Sequence, residues 1–429
     1  MKLKNTYNSY PLWKLFPLVV FILNPKIDII SIPGYWQGIR LDDLIILFYS
    51  ILFFISNKGK IYPNLIEKNK FGYYWILFFP YIVFSMVLGK IYGVNPQLLI
   101  IIRYLEYIAL IIILNQLDPP KNKILLLFKI YILINFLVVM LQYFEIIGGL
   151  TSRGPACDVH VAGCFDKEDI KTICFLNCGL GFMKNYMHAG EFINNRVIGI
   201  TGGPWELAMN LSISIFTLSY FEKNIKKNLP FIILTIIMLL ITHSRGIIFG
   251  LIAGSIFLIS DYKKAFKLFS LIFILILFIY LIDLFDFQEV INNRFLIDYF
   301  ALIKIIFGAF TGNLPSENSI MGTGLESMFH RAKSWQISIS ELRKSTILVF
   351  FGSGGHLIYT ESLLIRIFTS FGLIGSLIIV YFARQLPLFF IIFIIVTGLT
   401  IDMFVSFKIF VFSCLFLFAY KKNKEKKIY

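Results

Sequence analysis

The chain has 429 residues, of which 58% are hydrophobic and only 15% charged, with 40 Lys and Arg against 25 Asp and Glu for a formal net charge of +15. A soluble chain would carry about a quarter charged residues, so a soluble globular protein is excluded and a polytopic membrane protein is expected. The basic excess does not read as a nucleic-acid surface, because the lysines sit in short loops beside apolar runs, the pattern that fixes membrane orientation.

The basic start (Lys2, Lys4, Lys14) leads into an apolar run with no small-residue cleavage site, so no cleavable signal is expected. Apolar runs that suit spanning helices, about 15–25 residues each, recur roughly twelve times. They cover 11–32, 41–57, 72–90, 97–116, 123–148, 203–221, 229–243, 246–260, 265–284, 361–382, 386–400 and 403–420, and Asn24-Pro25-Lys26 interrupts the first. Every second loop is rich in basic residues: Lys58, Lys60, Lys68 and Lys70; Lys121 and Lys123; Lys223, Lys226 and Lys227; Lys263, Lys264 and Lys267; Arg384; and the tail Lys421 to Lys427. By the positive-inside rule both termini are then cytoplasmic. Two long loops, 149–202 and 285–360, fall on the outer face. The expected fold is an all-α, polytopic helix bundle forming a single membrane domain over residues 1–429, with no internal repeat.

The first long loop holds Cys157, Cys164, Cys174 and Cys178. In an oxidising compartment four cysteines in one loop read as two disulfides, in any of three pairings. A zinc site using His160 or His188 competes with that reading, although the paired C-x-x-C spacing is missing. The loop ends in Arg196-Val-Ile-Gly-Ile-Thr-Gly202-Gly203-Pro204-Trp-Glu206. Pro204 suits the first turn of a helix. A basic side chain, glycine backbone amides and a helix start together describe a phosphate cradle; the same residues also describe a plain loop-to-membrane junction, with Glu206 complementing the helix dipole.

Between the seventh and eighth runs lies the polar hinge Thr242-His243-Ser244-Arg245-Gly246. A charge held this tightly between apolar runs reads as a functional site, or as an arginine reaching lipid phosphates from a helix end. The second long loop carries Phe329-His-Arg331-Ala-Lys-Ser-Trp335 and Phe351-Gly-Ser-Gly-Gly-His356, followed by Glu361-Ser362 and by Gly372 and Gly375 inside the tenth run. Arg331 and Trp335 share a helix face at i,i+4. They read as a binding pair, or as a solvated charge beside an interfacial anchor. Arg196, Arg245 and Arg331 are all expected on the outer face, where the planar guanidinium would match pyrophosphate oxygens.

In this order the motifs resemble those of the bacterial O-antigen polymerase and O-antigen ligase superfamily. The resemblance rests on Arg196-x-x-Gly-x-x-Gly-x-Pro with Ala208 beyond it, Thr242-His-Ser-Arg-Gly, Arg331-x-x-x-Trp335 with Phe351-Gly-Ser-Gly, and Glu361-Ser with Gly372-x-x-Gly375. Arg103, Glu106 and Gln142 add minor support. Each motif is loose, and the specificity lies in their order over much of the chain. Ligases of the superfamily carry a His-Asn pair where this chain has Glu361-Ser362, which favours a polymerase. The resemblance implies a glycosyltransferase of the bacterial inner membrane, acting at its periplasmic face on undecaprenyl-pyrophosphate-linked oligosaccharides. A chain-length regulator would be its partner, and no metal or cofactor is called for. Arg196 and Arg245 would stabilise the departing pyrophosphate, Glu361 or His356 would take the acceptor proton, and Arg331, Trp335, Gly202, Gly203 and His243 would bind substrate. A lipid-linked oligosaccharide flippase is the reading from another class, and it would place charges inside the spans.

Overall fold

A computed structural model of the chain describes residues 10–26, 28–30, 39–56, 70–94, 99–144, 146–147, 197–222, 225–258, 304–316, 320, 326–355, 362–403 and 406–428. Helix dominates them. The helices are α1 (Leu12–Leu23), α2 (Leu41–Ser56), α3 (Lys70–Ile91), α4 (Leu99–Leu117), α5 (Lys121–Tyr143), α6 (Pro204–Phe221), α7 (Ile225–Ile241), α8 (Arg245–Leu258), α9 (Glu326–Leu342), α10 (Thr346–Phe351), α11 (Leu363–Ala383), α12 (Leu388–Gly398) and α13 (Phe407–Ile428). A further helical stretch covers 304–311. The strands β1 (Asp28–Ile30) and β2 (Ile39–Arg40) pair antiparallel with Asp28 opposite Arg40.

Local chemistry sets the ends. Asn24 stands before Pro25 and is extended, with φ −61° and ψ 125°, because a residue preceding proline is pushed out of the helical region. Pro120 and Pro387 precede α5 and α12 as N-caps, and Pro204 is the first residue of α6. Ser345 and Ser362 cap α10 and α11, their hydroxyls accepting from the Ile347 and Ile365 N–H groups.

Each expected apolar run holds one of these helices except 265–284, which lies outside the described residues. Among the described residues, three helices are long and apolar enough to cross a membrane: Tyr73–Ile91, Lys121–Tyr143 and Leu363–Ala383. Four more, Leu12–Leu23, Lys227–Ile241, Arg245–Leu258 and Leu388–Gly398, are apolar but shorter. The physical reasons for the smaller number are visible in the sequence. Pro25 and the 242–244 turn cut their helices short, and Glu206, Asn210, Ser212, Ser214 and Thr217 make α6 too polar. The expected second long loop is itself partly helical, since it contains α9 and α10.

Contacts divide the chain into two compact units. The first comprises Met1–Gly72, Leu105–Ile248 and Ser406–Tyr429. Its centre is α6, packed against α5, α7 and α13; of its eighteen residues only Trp205, Ser219 and Tyr220 are not buried. Aromatic rings fill the surroundings. Tyr107 stacks on Phe410 at 4.1 Å, and Phe412 meets Tyr131 at 4.6 Å and Phe128 at 5.0 Å. Inside a bilayer lipid competes equally for apolar surface, so helices associate through close packing, and such ring pairs add about 0.5–1.5 kcal/mol each. Helix α2 turns Ile46, Tyr49 and Phe53 inward and exposes Leu44, Leu47, Phe48, Ile51 and Ile55 along its other face.

Side-chain contacts tie the helix ends of this unit into two groups. One joins Asn24, Lys26, Asp42, Gln142, the 198–206 segment, Ser406 and Lys408. The other joins Tyr10 to the Leu117 carbonyl at 2.9 Å, Lys422 to the Pro119 carbonyl at 2.9 Å, and Lys129 to Glu222 at 3.1 Å. Helices α1, α5, α6 and α13 each run from one group to the other.

The second unit comprises Tyr73–Tyr104 and Phe249–Val405. Helix α11 carries it, packed on α9, α10 and α12. Gly372 breaks α11 with φ 63° and ψ −167°. The 352–354 turn docks at the break: the Ser353 and Gly354 N–H groups donate to the Thr369 and Ser370 carbonyls at 3.0 and 2.8 Å. A Cβ on Gly372 would meet the Phe350 carbonyl and the Gly352 nitrogen at 2.5 Å. Tyr81 donates to the Phe371 carbonyl at 2.7 Å, and Ser85 to the Phe351 carbonyl at 2.6 Å.

Candidate functional site

Among the described residues of the first unit, charged side chains gather at the N-terminal end of α6. Glu206, in the first helical turn, is wholly buried. Its carboxylate accepts from Lys26 Nζ at 3.2 Å on each oxygen, from the Gly202 N–H at 2.6 Å and from the Ser406 hydroxyl. Lys408 Nζ donates to the Asn24 carbonyl at 2.6 Å and the Ile200 carbonyl at 3.3 Å. Alongside, the Arg40 guanidinium pairs with Asp42 and Asp43 at 3.7 Å each. The Arg40 N–H donates to Asp43 at 2.9 Å, one half of a capping box for α2. Five chain segments are thereby tied together: the end of α1, the start of α2, the glycine turn, the start of α6 and the start of α13.

The turn before α6 is held from within. Gln142 Oε1 accepts from the Ile198 and Gly199 N–H groups at 3.1 and 2.8 Å, and its amide donates back to the Gly199 carbonyl at 3.0 Å. Asn135 Oδ1 accepts from the Ile200 N–H at 3.1 Å. The Thr201 N–H bonds the Ile198 carbonyl at 3.1 Å, and the Gly202 N–H is taken by Glu206. Every backbone donor from 198 to 202 therefore has a partner in the protein. The bare amides expected of a phosphate cradle are not found there. Gly202 has a steric role instead: a Cβ would lie 3.0 Å from both Lys26 Nζ and Glu206 Oε2, so glycine is what lets the lysine lie across the turn to reach the carboxylate.

The hinge between α7 and α8 is a tight turn. Thr242 and Ser244 are buried, while His243 and Arg245 are exposed. His243 adopts φ 50°, and the Arg245 N–H donates to its carbonyl at 3.1 Å. Thr242 Oγ1 donates to the Leu239 carbonyl at 2.7 Å, and the Ser244 carbonyl receives the Ile247 N–H at 3.1 Å, closing the first turn of α8. The inward hydroxyls leave the cationic side chain facing out.

In the second unit, Trp335 is only 5% exposed and packs with Ile305, Ala309, Phe329, Ala332 and Ile365. It is a core residue of α9, and Arg331, one turn before it, is half-buried. The helical period that places the two on one face also carries the indole into the interior. Arg366 and Asp402 form a buried ion pair with side chains 12% and 0% exposed. Beside it Ser362 Oγ donates to the Gly398 carbonyl at 3.1 Å. Arg196, His356, Glu361, and the four cysteines Cys157, Cys164, Cys174 and Cys178 lie outside the described residues.

Sequence reading passed over Ser406, Lys408, Arg366 and Asp402, and it weighed Lys26 only as part of a helix break. A signal was present in Phe404-Val-Ser-Phe-Lys408-Ile-Phe-Val-Phe, where one lysine stands inside an aromatic apolar run. No protein-family model matches the chain, and neither a curated protein nor a solved structure is significantly similar to it.

Proposed function

We propose that the chain is a surface-polysaccharide polymerase of the O-antigen type, a glycosyltransferase of the bacterial inner membrane whose substrates are oligosaccharides linked to undecaprenyl pyrophosphate. The observation that carries this reading is the exposed Arg245, placed at the start of α8 by a turn whose Thr242 and Ser244 side chains are buried. A cation standing rigidly between two apolar helices suits a ligand that joins a pyrophosphate to a membrane-embedded lipid tail. The order of motifs along the chain supports the same class.

In the proposed reaction a hydroxyl of the acceptor's terminal sugar attacks the anomeric carbon of the donor glycan. The bond from that carbon to the pyrophosphate oxygen breaks, and the lipid pyrophosphate leaves with its charge held by Arg245 and Arg196. Glu361 or His356 takes the hydroxyl proton. Arginines would do the electrostatic work here, with no metal ion or cofactor called upon, and a chain-length regulator would be the partner protein.

The proposed topology has twelve spans, cytoplasmic termini and the reaction at the periplasmic face. The grouping of helix ends supports it. Each of these contacts joins ends that lysine alternation assigns to the same side: Lys408 to the Asn24 and Ile200 carbonyls and Gln142 to Gly199 on one, Tyr10 to Leu117, Lys422 to Pro119 and Lys129 to Glu222 on the other.

A transporter, such as a lipid-linked oligosaccharide flippase, is the second reading, favoured by the buried Glu206 cluster, the Arg366–Asp402 pair and the broken α11. These charges sit in the first turn of a helix or just past its last turn, not midway along a helix, and this position weighs toward the enzyme. Lipopolysaccharide from a strain lacking the gene separates the readings on a gel. Core carrying a single repeat unit, with the ladder gone, is expected. Bare core with long lipid-linked polymer would mean a ligase, and bare core with single lipid-linked units held on the cytoplasmic side a flippase.

A further inference from the structure

The short helix α10 lies against α3 and α11, two helices long and apolar enough to cross a membrane. Those two run antiparallel: Tyr74 stacks on Phe382 at 4.8 Å, and Tyr81, two turns on, bonds the Phe371 carbonyl. Their apolar spans of 19 and 21 residues measure about 28 and 31 Å at 1.5 Å per residue, close to the hydrocarbon thickness of a bilayer. Gly93, just past the end of α3, and Ser362, the N-cap of α11, therefore mark the same surface of that layer. The polar 343–345 turn, which joins α9 to α10, sits at this level. Lys344 Nζ donates to the Gly93 carbonyl at 3.2 Å, and Lys90, Arg343 and Lys344 are all exposed.

From that level α10 heads inward. Its sequence, Thr-Ile-Leu-Val-Phe-Phe, carries no charge, and its far end meets both spans well below the surface. The Phe351 carbonyl accepts from Ser85 at 2.6 Å and from Tyr81 at 3.3 Å. A Cβ on Gly89 would lie 2.1 Å from the Ser353 carbonyl oxygen, and one on Gly354 would lie 2.3 Å from Met86. Ser85 stands about 12 Å along α3 from Gly93, and Gly372 about 13 Å along α11 from Leu363. Half of the hydrocarbon layer is about 15 Å. The 352–354 turn thus reaches nearly to the midplane, where a peptide group without a protein partner has no water to bond. The turn meets that demand. The Gly352 N–H donates to the Leu348 carbonyl at 2.7 Å, while the Ser353 and Gly354 N–H groups take the Thr369 and Ser370 carbonyls, just before the break in α11.

We infer that α10 and the 352–354 turn form a re-entrant element, entering the bilayer from the side on which α3 ends, with phospholipid acyl chains covering the exposed face of α10. Continuity of surface selects lipid as the occupant. Phe84, Val87 and Ile91 form an exposed apolar row along α3 at helical spacing. The Phe351 ring meets Phe84 edge-on at 5.5 Å, and Ile347 and Phe350, 42% and 44% exposed, carry the row onward. A surface that is lipid-covered on α3 stays lipid-covered at the same depth on α10. On the opposite side Leu348 is buried against Val94 and Leu342, with Leu88 and Phe368 packed beside it. Part of the stretch expected as a long outer loop, 285–360, belongs in this way to the membrane domain. The inference stands independently of the catalytic proposal.

Photocrosslinking tests it on the purified full chain in nanodiscs made of a single phospholipid. The photoreactive residue p-benzoylphenylalanine replaces Phe350 or, as an independent second position, Ile347. Val87 on α3 serves as the lipid-facing control, and the exposed Lys333 on α9 as the control outside the bilayer. Irradiation should attach phospholipid at positions 350 and 347 in yields like that at position 87 and several-fold above that at position 333. Fragmentation of the adducts should place the attachment on acyl carbons. Absence of a lipid adduct at both positions overturns the inference, because the face is then in water. Attachment confined to headgroup and glycerol atoms also overturns it, by putting α10 at the surface. So does a crosslink between two copies of the chain in place of lipid.

Discussion

The two ends of the first unit both carry ion pairs, and the pairs differ in kind. At the glycine-turn end, Lys26 and Glu206 meet with side chains 9% and 1% exposed. At the other, Lys129 and Glu222 are 22% and 24% exposed, and Lys422 and Asp118 are 26% and 69% exposed. A buried pair is held in place by the cost of stranding either partner; a wet pair is free to separate into solvent. The buried end is therefore a clamp, fixing five chain segments around the start of α6. The wet end has the lysine richness that orients membrane proteins, and its ion pairs need add little more.

This contrast can be broken by substitution. The largest effect is expected from Glu206→Leu, which strands Lys26 without its carboxylate and removes the acceptor of Gly202 and Ser406. A loss of about 3–5 kcal/mol is expected, read as a collapse in the yield of folded protein in detergent and a lower unfolding midpoint. An unchanged midpoint would show that the cluster is not a clamp. Gly372→Ala comes next. The left-handed φ and the backbone of Phe350 and Gly352 both oppose a side chain, and strain of this kind costs about 1–3 kcal/mol. Thermal unfolding of the purified variant checks it, and ready tolerance would mean the break in α11 is not fixed by glycine. Gln142→Leu orphans the Ile198 and Gly199 N–H groups, each worth about 1–3 kcal/mol when left unmade. Hydrogen exchange at those two amides should quicken while the centre of α13 stays protected. At the wet end, Lys129→Ala should cost no more than about 1 kcal/mol. A midpoint falling as far as that of Glu206→Leu would erase the distinction between the ends.

The sequence reveals the helices better than it reveals the site. Apolar runs bounded by Pro25, Pro120, Pro204 and Pro387 give start and stop positions that local chemistry enforces, and the helices follow them closely. What one chain cannot reveal is which helix ends come together. Lys408 and Glu206 are 202 positions apart, and nothing local to either announces that both approach the 200–202 turn. Glycine was ambiguous for the same reason. Gly202 reads equally as a place for a phosphate and as a place for the Lys26 side chain, and only the packing decides. Trp335 shows the limit of periodicity: spacing of four puts it on one face with Arg331 but does not say that this face looks inward. The hinge at 242–246 was legible because its polarity contrasts with the runs on both sides, and the contrast is what leaves Arg245 facing out.

In the proposed reaction Arg245 acts in chemistry and not in folding, and one measurement tests this directly. Full-length Arg245→Ala and Arg245→Lys proteins, expressed in a strain lacking the gene, are compared for membrane abundance, unfolding midpoint and lipopolysaccharide ladder. Abundance and midpoint like the parent protein are expected, with the ladder lost in the alanine variant and at most weakly restored by lysine, whose point charge lacks the planar fork. A normal ladder from stably inserted Arg245→Ala would contradict it.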